Sequence, residues 1–128
     1  VTAAATYLAK AEAALAGARL LLQSGDADGA CSRAYYAMFD AARSALVVVT
    51  GADASAPIKT HNGLIAAFGQ QVVLTGHVAA EHGQALNRAQ KLRLLADYSG
   101  DPVPQDAAAA VVSQAEAFVA AIRQKLPG

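Results

Sequence analysis

Residues Cys31 to Ala42 read CSRAYYAMFDAA, with one arginine, Arg33, and one aspartate, Asp40, standing among small and aromatic residues. The run follows the turn Ser24-Gly25-Asp26 and contains no helix breaker, so it reads as helix. Two helical turns separate Arg33 from Asp40, which puts Arg33, Tyr36 or Ala37, and Asp40 on one face along roughly 10 Å. A charged pair on a nearly apolar helix costs desolvation energy unless it is satisfied or used.

Working outward, Gly25 suits the end of one helix and Asp26 the N-cap of the next. The second helix is predicted from about Ala27 to Thr50. Small and apolar residues, among them Ala30, Ala34, Ala37, Met38, Ala41, Ala45 and Leu46, cover most of its circumference, as in a helix buried on more than one side. A bundle of this size is expected to leave one such face, the one with Ala30, Ala34, Ala37 and Ala41, for a second copy of the chain. The expected assembly is therefore a homodimer through the helix bearing Arg33.

Upstream, Leu8, Ala11, Leu15, Ala18 and Leu22 repeat at helical spacing and predict an amphipathic helix over Thr2–Gln23. Downstream, GADASAPIK from Gly51 to Lys59 is the main loop. Thr60 can cap a third helix carrying Leu64, Ile65, Phe68 and Val72, and Thr75-Gly76 breaks it. A fourth helix is predicted over about Ala79 to Tyr98, with Leu86, Ala89, Leu92 and Ala96 inward. Pro102 and Pro104 mark a stop and a restart. Ala108, Val111, Ala115, Phe118, Ile122 and Leu126 define the last helix. The fold class is all-α, an antiparallel up-and-down helical bundle of about five helices, in one domain over residues 1–128.

Composition narrows the function. Ten basic and ten acidic residues give no net charge, which argues against a strong grip on duplex DNA or an anionic membrane and leaves room for a local basic patch. No apolar run approaches the ~18 residues of a membrane span. Lys10, Glu12 and Arg19 interrupt the first helix, so it does not read as a signal peptide. Cys31 is the only cysteine, which excludes an internal disulfide and fits a reducing, cytoplasmic setting. It reads as a small buried hydrophobe.

Catalytic motifs are few. His77, Glu81 and His82 in HVAAEH are spaced one residue longer than the H-x-x-E-H zinc pattern, so no metal is expected, and nothing implies a cofactor. There is no G-x-S-x-G elbow and no glycine-rich phosphate loop. Gly63, Gly69 and Gly83 read as close helix packing. Arg33 and Asp40 read most simply as an ion pair, or Asp40 pairs with Arg43 one turn on; Arg93 and Asp97 make another i,i+4 pair. Tyr35, Tyr36 and Phe39 read as packing, with Tyr36 as a base-stacking platform the sharper alternative. His61 reads as a helix-end residue or as a replacement acid–base group. It follows Lys59 at a helix start, where free N–H groups attract anions.

Three segments, KAEAALAGARLLLQSGDADGACSRAYYAMFDAA from Lys10, KTHNGLIAAFGQ from Lys59 and LRLLADY from Leu92, together resemble the HEPN domain family over nearly the whole chain. The resemblance implies an antiparallel bundle that dimerises through the helices bearing its polar motif. Some HEPN proteins are metal-independent ribonucleases, many of them toxins paired with a small nucleotidyltransferase antitoxin. Others bind nucleotides or act as non-catalytic partners.

The family's catalytic signature is an arginine, four to six intervening residues and a histidine. Arg33 matches the arginine, and Asp40 fills the histidine place. Cleaving RNA without metal needs a base for the 2′-hydroxyl and an acid for the leaving oxygen, and imidazole can serve as either near neutral pH. A carboxylate is a weak base there, could donate a proton as acid only if burial raised its pKa by several units, and repels the phosphate that Arg33 would attract. The expectation is thus a degenerate ribonuclease motif made of Arg33, Asp40 and Tyr36. Arg43, Lys59 and His61 are the candidate groups for a phosphate, whether of RNA or of a nucleotide.

Three readings stay open. One is a binding partner module of a nucleotidyltransferase, and another is an active endoribonuclease toxin. The third is a helical protein-interaction scaffold of the tetratricopeptide kind, for which the chain lacks the repeat.

Overall fold

At Ser24-Gly25-Asp26 the chain reverses through a tight helix end. Gly25 takes the left-handed φ of +87°. The N–H groups of Gly25 and Asp26 reach back to the carbonyls of Leu22 and Leu21. Asp26 then turns from ending one helix to starting another, its Oδ1 accepting the Gly29 N–H at 2.8 Å. The computed structural model describes residues 2–51 and 60–127. Its elements are α1 (Ala3–Gln23), α2 (Ala27–Thr50), α3 (His61–Phe68), α4 (Ala80–Tyr98) and α5 (Gln105–Lys125). There is no strand among the described residues. The Thr60 hydroxyl caps α3 by accepting the Gly63 N–H at 2.9 Å. The helix runs on into a wider π-helical turn, Gly69–Val73, before the break at Thr75-Gly76. Lys59 and most of its loop lie outside the described residues.

The helices are arranged around α2. It packs against α1, α3, α4 and α5, while the outer helices touch in the order α1, α5, α4, α3. Among the described residues α1 makes no packing contact with α3 or α4, so the ring around α2 stays open on that side. Long-range caps hold the closed side. Asp28 Oδ1 accepts the Val103 N–H at 2.8 Å, and the Gln105 side chain donates to the Leu22 carbonyl at 2.9 Å, which ties the start of α5 to the α1–α2 corner.

This arrangement corrects the expected free alanine face. Ala30, Ala34, Ala37 and Ala41 are each 0% exposed within the single chain. Four surrounding helices are enough to cover a 24-residue helix, because alanine lets their axes come close. The core also holds Tyr35, Met38, Leu64, Phe68, Leu86, Phe118 and Ile122, all fully buried. On α4, Leu86 and Ala89 point in as expected, but Leu92 and Ala96 are only half-buried. Gly83 does serve close packing, since a Cβ there would lie 3.3 Å from Val73 Cγ2, whereas Gly69 has open space beside it. Cys31 is buried, and burial pushes its thiol up to about 11. No helix among the described residues is long and apolar enough to cross a membrane.

Candidate nucleic-acid or nucleotide interface

The open side of the ring decides which part of α2 meets solvent. Arg33 is exposed and Tyr36, Asp40 and Arg43 are half-buried, while their neighbours Ala34, Tyr35, Ala37, Met38, Phe39, Ala41 and Ala42 are buried. The stripe thus follows the helical spacing, and the structure does put Arg33, Tyr36 and Asp40 on one face. α1 lines one edge in antiparallel register. Tyr7 lies under the Arg43 guanidinium at 5.1 Å, Lys10 acts on Asp40, and Gly17 leaves room beside Arg33 Nε. On the other edge stand His61 from the start of α3 and Arg93 from α4.

Neither expected ion pair of Asp40 forms. Among the described residues, no Arg33–Asp40 or Asp40–Arg43 contact closes to ion-pair distance. Arg43 instead lies over the rings of Tyr7 and Phe39, at 5.1 and 5.2 Å. Arg33 is exposed, two turns from Asp40. Burial pushes the Asp40 carboxyl up, and the opposing pull of Lys10, Arg43 and Arg33 does not cancel it. A carboxyl with a raised pKa in the folded state favours folding in acid. That contribution is lost as pH rises through the folded value, so the ionised form is a burden at neutral pH. Asp40→Asn is accordingly expected to melt higher than wild type at pH 7. The difference should vanish in thermal melts taken below the ordinary aspartate range.

An aromatic cluster floors the face. Tyr36 packs edge-on to Tyr35 at 5.2 Å and to His61 at 5.9 Å, and Phe39 meets the His61 ring at 4.6 Å. Tyr35 OH and His61 Nδ1 are 2.7 Å apart. Burial, then Arg93 and Arg43, lower the pKa of His61. Arg93 forms its expected pair with Asp97 at 3.1 Å and also holds the Gln90 side-chain oxygen. It does more than that, lying over Tyr35 and Tyr36 at 5.0 and 5.7 Å. The face therefore brings together Arg33, Tyr36, Asp40, Arg43 and His61. It adds three residues that sequence reasoning missed as site components: Tyr7, Lys10 and Arg93. For Tyr7 and Lys10 the signal was spacing, since they fall with Gly17 on one stripe of α1, while nothing local to Arg93 pointed to the site.

Chemically, the face combines cations with ring surfaces, and Asp40 is the one carboxylate between Arg33 and Arg43. Such a surface can hold a phosphate at its guanidinium edges and stack a base on Tyr36. His77 and Glu81 are exposed, and His82 sits edge-on to Phe118, so the HVAAEH segment does not converge on one point. No group of potential metal ligands occurs among the described residues.

A family model for the HEPN domain matches residues 4–125. A UPF0332 protein of Gloeobacter violaceus is 37% identical over 91 residues, covering 71% of this chain and 68% of its own length. A protein of Methanocaldococcus jannaschii named "Putative toxin" is 31% identical over 116 residues, 91% of this chain and 83% of its own. A UPF0332 protein of Thermotoga maritima is 37% identical over 89 residues, 70% of this chain and 64% of its own.

Proposed function

The chain belongs to the HEPN domain family, and from that premise we propose that it is an RNA- or nucleotide-binding partner module of a nucleotidyltransferase, in a system of toxin–antitoxin type, whose ribonuclease motif is degenerate. The observation that carries the reading is the open stripe of α2. Arg33, Arg43 and Lys10 supply positive charge there, Tyr36 supplies a ring, and a half-buried carboxylate stands where proton transfer would need an imidazole. The relative named as a toxin supports the toxin–antitoxin setting. It also favours the second reading, an active endoribonuclease, which the same experiments separate from the first.

The proposed unit is a single HEPN-like domain over the 128 residues, cytoplasmic and homodimeric through α2. Because the alanine face is used up inside the chain, the pairing surface is the half-exposed stripe and its borders. Two-fold symmetry would then gather two copies of Arg33 and Asp40 around one groove. Neither a membrane nor duplex DNA is a proposed partner, the chain having no net charge.

Calorimetry with a short single-stranded RNA and with a nucleotide, at low and physiological salt, tests the reading. Wild type is expected to bind at least one of them modestly and more weakly as salt rises. Arg33→Ala should lower that affinity about tenfold, the range for losing a charge-assisted contact. If wild type binds neither, or if Arg33→Ala leaves binding unchanged, the ligand-binding part of the proposal is wrong.

A further inference from the structure

Tyr35 is 0% exposed, yet it carries a hydroxyl, and among the described residues that hydroxyl has one hydrogen-bond partner, His61 Nδ1 at 2.7 Å. A buried O–H must spend its proton on an acceptor or forfeit the hydrogen bond. If Nδ1 carried a hydrogen, the Tyr35 proton would point at another donor and have no other acceptor among the described residues. Nδ1 is therefore the acceptor, and in the neutral ring the hydrogen sits on Nε2. His61 is itself half-exposed, and among the described residues Nε2 makes no hydrogen bond. Phe39, at 4.6 Å between ring centroids, and Tyr36, nearly perpendicular at 5.9 Å, pack against the imidazole.

We infer that Tyr35 is a positioning residue that fixes His61 as the Nε2–H tautomer and makes it a neutral hydrogen-bond donor to a phosphate oxygen on the α2 face. The inference rests on the ligand-binding reading above and sharpens it. A neutral Nε2–H donates to an anion but offers no lone pair to a 2′-hydroxyl. His61 therefore binds the phosphate without replacing the missing base. Protonating His61 would put a hydrogen on Nδ1 against the buried Tyr35 O–H. The charged groups acting on His61, Arg93 from α4 and Arg43 from α2, also oppose protonation, in line with its lowered pKa. Both effects favour the neutral donor.

The test uses the full chain and two readouts. Long-range proton–nitrogen NMR of the imidazole at neutral pH should show Nδ1 unprotonated and Nε2 protonated. Tyr35→Phe should mix the tautomers. In calorimetry with the short single-stranded RNA or the nucleotide, His61→Gln, whose amide nitrogen reaches the Nε2 position, should keep affinity within about twofold. His61→Asn, whose amide nitrogen falls at the Nδ1 position, should lose about fivefold to tenfold. A spectrum dominated by the Nδ1–H form overturns the tautomer assignment, and equal binding by both His61 variants overturns the donor role. The spectrum needs no ligand and no variant. It therefore decides the Tyr35 assignment even if Tyr35→Phe fails to fold, and separately from whether wild type binds RNA or nucleotide. If wild type binds neither, the functional reading fails and takes the donor role with it.

Discussion

Asp40→His is expected to raise cleavage of a generic single-stranded RNA by about a hundredfold over wild type, the lower part of the range that a positioned acid–base group contributes. Position 40 lies on the open stripe of α2, two turns from Arg33 and one from Tyr36, with Lys10 across the groove on α1. A carboxylate there repels an RNA phosphate, and although burial pushes its pKa up, the carboxyl starts further from neutral than an imidazole does. An imidazole at the same point removes the negative charge and titrates near neutral pH. The surrounding cations, Lys10, Arg43 and Arg33, would lower its pKa, which suits a base better than an acid. Gel assays should therefore show cleavage rising with pH toward a plateau. The double variant Arg33→Ala, Asp40→His should return to the wild-type level, and Asp40→Asn should not cleave. If wild type already cuts RNA efficiently and Arg33→Ala abolishes it, the active-nuclease reading replaces the degenerate one. If Asp40→His folds, binds RNA and leaves cleavage at background, position 40 is not the proton-transfer position.

That experiment depends on a surface only partly legible in the sequence. The corners were legible because each is written in local chemistry. Asp26 before an apolar run, Thr60 three residues before Gly63, and Gly25 after the last periodic leucine each satisfy helix-end groups with their own atoms. The stripe through Arg33, Tyr36 and Asp40 followed from helical spacing alone. Which side of α2 would stay open did not. Ala30, Ala34, Ala37 and Ala41 look the same whether they meet a partner subunit or other helices of the same chain, because alanine has no polarity to declare. The gap between α1 and α3 is a property of the whole ring. Asp40 illustrates the same limit. Pairing with Arg33 or Arg43 is the natural guess from spacing, but Tyr7 and Phe39 draw Arg43 away through ring contacts. Arg93 read as the i,i+4 partner of Asp97, which it is, while its second contact, with rings nearly sixty residues earlier, depends on how α4 lies against α2.

The largest expected loss of stability lies away from that surface, at Phe118. Its side chain is fully buried, its ring centroid is 5.2 Å from that of Phe68 in α3, and His82 of α4 meets it edge-on at 5.8 Å. One side chain thus joins α5 to α3 and α4 on the closed side of the ring. The bundle has few such groups. The buried residues of α1 are alanines and Leu15, and half of those of α2 are alanine, so the largest fully buried side chains are few: Tyr35, Phe68, Phe118, Met38, Leu64, Leu86 and Ile122. Alanine neighbours are short and cannot swing in to fill a vacated volume, so a truncation there leaves most of its cavity open. Phe118→Ala is expected to cost about 3–5 kcal/mol, against a total of roughly 5–15 for a domain of this kind. In thermal melts that is a drop of about 10–20 °C. Phe118→Leu, which keeps most of the volume, should lose less than half as much, and Leu74→Ala, at an 80% exposed residue, should stay within about 0.5 kcal/mol. Denaturant melts of the three variants measure this ordering. A Phe118→Ala loss below about 1 kcal/mol would mean that the closed side of the ring repacks freely, contrary to a core whose large groups are this few.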